Sequence, residues 1–408
     1  FQKFELEKVP TISGPSSLRA KTFDGKEKLN FASYNFLGIM NSESVKEKAI
    51  ETLRNYGVGT CGPPGFYGTL DVHMELEKRI AEFTGLESSI IYSQGFSCIS
   101  SVIPAFAKRG DILVVDEAVN FAIQKGAEIS RSHVYYFKHN DVEDLEKTLA
   151  KIKKDRAAKK LPLVRQFIVV EGLYANTGDI CPLPEIVELK KKYKYRLMVE
   201  ESLSFGVIGV AGRGVSDYFE IPVDEIDFMI ASMSNSLASS GGFCAGSEII
   251  TDHQILSGQS YTFSASLPAI LAVAATEAIN QIENEPNLVF NLNQNAKLMH
   301  QNLVKSLVGV GANVIGVSDS PVLHLSLAQP SRNREDDERL LQEVVDLCLK
   351  DGILLTRAKY VVKQERSAPP PSIRVSVSAG FTKREIEKAA SVIRDSFRKV
   401  MKNRTVSK

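Results

Sequence analysis

Short runs rich in β-branched and aromatic residues alternate with longer amphipathic stretches between about residues 87 and 234. The runs at 88–93, 111–116, 166–171, 195–200 and 228–234 read as strands. Between two of them, residues 184–193 carry Ile186, Val187 and Leu189 at helical spacing. This alternation predicts an α/β fold, a largely parallel sheet covered by helices on both faces. Near the C-terminus, Thr382-Lys-Arg-Glu385 reads as a capping box. It opens a helix with Ile386, Ala389, Ala390, Ile393, Phe397 and Val400 on one stripe. A strand is expected at 373–378, reached through the stiff loop Ser367-Ala-Pro-Pro-Pro371. The pattern divides into an N-terminal arm (1–35), a large domain (36–279) and a small C-terminal α/β domain (280–408).

Composition narrows the function classes. The 408 residues carry 50 basic and 49 acidic side chains, a net charge of +1, so overall charge gives no case for nucleic acid or an anionic membrane surface. Cys61, Cys98, Cys181, Cys244 and Cys348 form no CxxC pair, so neither a zinc site nor a disulfide framework is expected, and a reducing compartment is. The six histidines show no metal-ligand spacing. The most apolar stretch, 267–278, is far shorter than the ~20 residues of a membrane-spanning helix. The sequence opens on Phe1, so a preceding segment is expected, and any membrane anchor with it.

The chemistry-bearing motifs come in a fixed order. Asn30-Phe-Ala-Ser-Tyr-Asn-Phe-Leu-Gly38 is followed by Tyr56-Gly-Val-Gly-Thr-Cys-Gly62 and Gly65-Phe-Tyr-Gly-Thr69, then His73 and Glu75-Leu-Glu77. Clustered glycines let backbone approach a ligand or a neighbouring subunit closely, although ordinary turns use them equally well. Tyr92-Ser-Gln-Gly-Phe96 follows a strand and opens a helix whose N-terminus suits a phosphate. Then come Glu171-Gly-Leu-Tyr-Ala-Asn-Thr-Gly-Asp179, Val199-Glu-Glu-Ser-Leu-Ser-Phe-Gly206, Ser240-Gly-Gly-Phe243 and Phe263-Ser-Ala-Ser-Leu-Pro268.

This ordered set resembles the α-oxoamine synthase family of fold-type I pyridoxal-phosphate (PLP) enzymes, over about residues 30 to 400. The resemblance implies a large mostly parallel sheet domain, a small C-terminal domain, and a dimer with active sites between subunits. Members condense an amino acid with an acyl-CoA. Their chemistry needs a lysine that loads the cofactor, an acid that keeps the pyridine nitrogen protonated, a stacking histidine and a carboxylate-binding arginine.

Against that pattern the lysine is missing. Ser232-Met-Ser-Asn235 places Asn235 at its position, and no lysine lies between Lys194 and Lys297. Glu200 stands at the pyridine-nitrogen acid, one methylene longer than the family's aspartate. Leu203 replaces an imidazole, Asn120 the stacking histidine, Phe381 a further histidine and Pro64 an arginine. Arg374 matches the carboxylate-binding arginine, although a structural carboxylate or an interface would also employ it. Ser264 and Ser266 match a segment that reaches across the dimer to the partner's cofactor phosphate. Cys61, Gly62 and Tyr67 fall at the expected substrate and dimer face.

Gly-Val-Gly-Thr-Cys-Gly, Glu-Glu-Ser-Leu-Ser-Phe-Gly and Ser-Gly-Gly-Phe-Cys resemble the family's lysine-less branch, which pairs with a lysine-bearing subunit. The branch implies condensation of L-serine with palmitoyl-CoA to 3-ketodihydrosphingosine at the endoplasmic reticulum membrane. PLP is then held by the partner, with small activating subunits and membrane regulators attached. An active homodimer using a distant lysine and a cofactor-free regulatory scaffold are the alternatives.

Overall fold

The computed structural model describes residues 9–406, with side chains to residue 402; the first eight residues of the expected N-terminal arm lie outside it. The chain forms two compact units, one of residues 43–290 with 360–369, the other of residues up to 42, 291–359 and 370 onward.

The larger unit is built on seven strands: β1 (Ser88–Tyr92), β2 (Ile112–Asp116), β3 (His133–Phe137), β4 (Gln166–Glu171), β5 (Arg196–Glu200), β6 (Phe228–Ser232) and β7 (Gly242–Gly246). Their order is β1-β7-β6-β5-β4-β2-β3. β3, β2, β4, β5 and β6 pair in parallel, while β7 runs antiparallel to both β6 and β1. The expected α/β class holds, and four of the central strands are nearly continuous runs of buried residues, as a sheet covered on both faces requires. Helices α1 (Asp71–Thr84), α2 (Gly95–Phe106), α3 (Phe121–Ser130) and α4 (Leu183–Tyr193) connect or flank these strands. Two strands escape the periodicity. β3 is an edge strand with alternating exposure, and β7 carries two glycines. Segment 360–369 joins this unit through the Arg366 N–H, which donates to Gln124 Oε1 at 3.0 Å, and through its guanidinium, 4.1 Å over the Tyr136 ring.

The smaller unit contains the hairpin Arg19–Lys21/Glu27–Asn30, extended in parallel by Ile353–Leu354. Beside it lies an antiparallel sheet ordered Ala312–Ile315, Val322–Leu327, Ile373–Ser376, Thr356–Arg357. The capping box forms as expected, Thr382 N donating to Glu385 Oε2 at 2.8 Å and Glu385 N to Thr382 Oγ1 at 3.3 Å. The apolar stripe of that helix is buried from Ile386 to Val400.

The described part of the N-terminal arm is no free-standing element. Phe31 stacks on Phe381 at 4.1 Å and Arg19 pairs with Glu385 at 2.7 Å, so burial and charge tie it to the C-terminal helix. The division expected at 279/280 falls inside the helix Ala269–Asn284, whose apolar face continues across that point.

Candidate functional site

In an open α/β sheet, ligands bind beyond the carboxyl ends of the parallel strands. Here those ends bring Asn120, Glu171, Glu200, Ser202 and Asn235 together. Glu171 and Glu200 close β4 and β5 and are register partners, so their side chains lie side by side. Asn120 caps α3, its Oδ1 accepting from Ala122 N at 3.0 Å and Ile123 N at 3.2 Å. Its backbone N–H donates to Glu171 Oε1 at 2.5 Å, and its Nδ2 to Glu200 Oε2 at 3.1 Å. Glu171 Oε2 accepts from Ala175 N at 2.9 Å, and Glu200 Oε1 from Ser202 N at 2.9 Å.

Both carboxyls are buried. Burial, then repulsion by Glu200, raises Glu171 well above the usual carboxyl range, and burial raises Glu200 against its hydrogen bonds. Neighbouring Glu201 is likewise raised by burial to about 7, while Ser204 Oγ and Val215 N donate to it. Glu200 is thus paired at the end of β5 with Asn120 and Ser202.

Asn235 follows β6, and its Nδ2 donates to the Ser202 carbonyl at 2.9 Å. Ser202 Oγ accepts from Ser232 N at 2.7 Å, so Ser202 holds both the end of β6 and Asn235 in the loop that follows. Leu203 is buried.

A second cluster fastens the strand-end loops. His139 Nδ1 lies 3.0 Å from Asp116 Oδ1 and its Nε2 3.3 Å from Asp179 Oδ2. Burial alone would lower this imidazole, yet the two carboxylates raise it to about 9, so it is a cation near neutral pH. Sequence reasoning missed it because its partners are 23 and 40 residues away.

The glycine motif and the serine segment meet on one side of the same unit. Ser266 N donates to Gly62 O at 3.0 Å, and Thr60 Oγ1 to Ser266 O at 3.1 Å. His73 Nδ1 accepts from Leu70 N at 3.0 Å, which leaves the proton on Nε2, 2.6 Å from Leu267 O. Burial lowers the His73 pKa, against the Leu267 bond and Asp71, so the ring is neutral. Ser264 and Ser266 line a cavity of about 30 Å³ together with Glu77, which burial raises to about 7. The Ser266 hydroxyl is buried there without a hydrogen-bond partner.

Pro64 starts a tight turn across Pro64–Gly68. Cys61 and Tyr67 both adopt positive φ (57° and 63°), and Tyr67 is fully exposed. A Cβ on Gly62 would lie 2.6 Å from Phe66 O, so the turn requires glycine there. Arg374 belongs to the other unit. Its guanidinium lies 4.0 Å over the Tyr34 ring and donates to Ala32 O at 2.5 Å, with Nε buried and unpartnered. Phe381 stacks on Phe31 as a core residue. Among the described residues, no group of three or more His, Cys, Asp or Glu side chains is arranged to hold a metal ion.

This sheet, with its site at the strand ends, belongs to the PLP-dependent transferases of fold type I, and the chain is a member of the aminotransferase class I and II family, whose family model matches residues 26–393. Within it, the chain is similar to serine palmitoyltransferase 1 of Dictyostelium discoideum, 43% identical over 377 residues, covering 91% of this chain and 78% of the relative. It is 42% identical over 393 residues to long chain base biosynthesis protein 1 of Arabidopsis thaliana, covering 96% and 80%. Among solved structures it resembles the K265A serine palmitoyltransferase of S. paucimobilis with a bound PLP-myriocin aldimine. That match has TM-score 0.85 and 26% identity and covers 96% of this chain and 93% of the other.

Proposed function

We propose that this chain is the non-catalytic subunit of a serine palmitoyltransferase that condenses L-serine with palmitoyl-CoA, the entry step of sphingolipid synthesis. The carrying observation is Asn235, an amide bonded to the Ser202 carbonyl where the chemistry requires a primary amine. PLP supplies an electron sink to its enzyme when bound, and the residues of this chain do not fit it. Besides the missing amine, Glu200 has a donor on each oxygen already, and Leu203 has no hydrogen bond to give. PLP is therefore held by a lysine-bearing subunit 2, and this chain lends that subunit its retained face.

That face comprises Cys61, Gly62 and Tyr67 in the glycine turn and Ser264 at the edge of the serine segment. Arg374, with Nε free of bonds, is the group in the smaller unit suited to a carboxylate. Small activating subunits, membrane regulators and residence at the endoplasmic reticulum membrane follow from the same reading. No helix among the described residues is long and apolar enough to cross a membrane, so an anchor would come from elsewhere in the assembly or the chain.

Co-purification from the native source tests the proposal. A lysine-bearing homologue is expected to accompany the chain, and the chain alone is expected to show no turnover with serine and palmitoyl-CoA. Turnover by the isolated chain, or a borohydride-trapped cofactor on it, would refute the reading.

A further inference from the structure

Five residues at the strand ends hold one another rather than leaving groups free. Asn120 Oδ1 is spent on two helix N–H groups, its Nδ2 on Glu200 and its backbone N–H on Glu171. Each oxygen of Glu200 and each oxygen of Glu171 accepts a hydrogen bond from this small set or from Ala175. Ser202 continues the chain of bonds, donating its N–H to Glu200, accepting at Oγ from Ser232 N and at its carbonyl from Asn235.

We infer that the seat of the pyridine ring in this chain has been rebuilt as a closed brace of Asn120, Glu171, Glu200, Ser202 and Asn235, so that restoring a lysine at position 235 does not by itself restore a cofactor site. The inference rests on the reading of the chain as the lysine-less subunit and deepens it.

Two physical reasons carry it. A pyridine nitrogen approaching Glu200 competes with the donor already on each of its oxygens, Asn120 Nδ2 and Ser202 N, and a donor turned away there is left buried without a partner, which is costly. A lysine introduced at 235 loses the amide bond that ties its loop to the Ser202 carbonyl, and its ammonium must give up a proton before it can attack an aldehyde, with no base bonded to that position to take it. The brace also spans the ends of β2, β4, β5 and β6. It converts what would be a ligand pocket into a set of ties between strands.

The test uses the chain in complex with its lysine-bearing partner. The complex is saturated with PLP and reduced with borohydride, the two subunits are separated, and the peptide containing position 235 is weighed. The Asn235→Lys variant is expected to carry no pyridoxyl adduct on this chain. Combining it with Asn120→His and Glu200→Asp, which open the brace, is expected to give a stoichiometric adduct. A stoichiometric adduct with Asn235→Lys alone overturns the inference, as does its absence from a triple variant that melts like the parent. Should the triple variant not fold, the Asn120→His, Asn235→Lys pair is read against the same two outcomes. An adduct on the unmodified chain would instead strike the lysine-less reading, so the two failures are distinguishable.

Discussion

Asn120 caps α3 with its Oδ1 and reaches both buried carboxyls, Glu171 with its backbone N–H and Glu200 with its Nδ2. Its loss in Asn120→Ala removes the cap on α3 and the Nδ2 donor to Glu200, while the backbone N–H to Glu171 remains. The expected cost is about 1–3 kcal/mol, read as a lower denaturation midpoint at unchanged m-value. The carboxyls themselves set a pH dependence. Glu171, Glu200 and Glu201 bind protons more tightly when folded, burial raising all three above 4.5 and Glu201 to about 7. The folded state therefore holds more protons than the unfolded one above about pH 4.5, and stability falls as pH rises from there through about 7. His139 has the same sign. Its raised pKa of about 9 gives stability that is full below the unfolded value of 6.5 and is lost as pH climbs through 9. A melting series should decline across this range, and Glu200→Gln should make the decline shallower. An unchanged slope would show that Glu200 titrates alike in both states.

At the scale of elements, what counts is how the glycine turn and the serine segment are held together. His73 sits at the third position of α1, where its ring accepts from Leu70 N and donates to Leu267 O. A glutamine can do both, an alanine neither. His73→Gln is expected to melt within about 0.5 kcal/mol of the parent, and His73→Ala to lose about 1–2 kcal/mol. Equal losses in the two would mean that ring packing, not bonding, is what the site uses. Helical spacing puts residues 73, 76, 77 and 80 on one side of α1, a helix not among those expected from the sequence. The acceptor of His73 has no such local signal, because Leu267 is 194 residues away. The central strands were legible, since burial on both faces leaves an apolar run. Edge strand β3 and glycine-bearing β7 lack that signature.

For the whole molecule, exposed apolar side chains on adjacent loops of the larger unit point to assembly. Tyr67, Phe66 and Phe263 are 101%, 68% and 80% exposed, and the serine segment that follows Phe263 is bonded to Gly62. Large apolar side chains left in water are a recurrent mark of partner surfaces. Tyr67→Asp and Phe263→Asp should each lower recovery of the lysine-bearing subunit in co-purification at least ~10-fold, with little change in melting, because neither side chain packs in this chain's own core. Full recovery with both variants would place the interface elsewhere.

The amino-acid order by itself determined that no lysine between Lys194 and Lys297 could supply the amine, and that apolar runs would make a covered sheet. Chemical identity and local periodicity are properties a linear chain already has. Only the tertiary structure decided that Glu171 and Glu200 stand side by side, that Asn120 closes over both across separations of 51 and 80 residues, and that the Ser266 hydroxyl turns inward. Strand register and side-chain direction come into being when distant segments pair and exclude water, and no spacing along the chain encodes them.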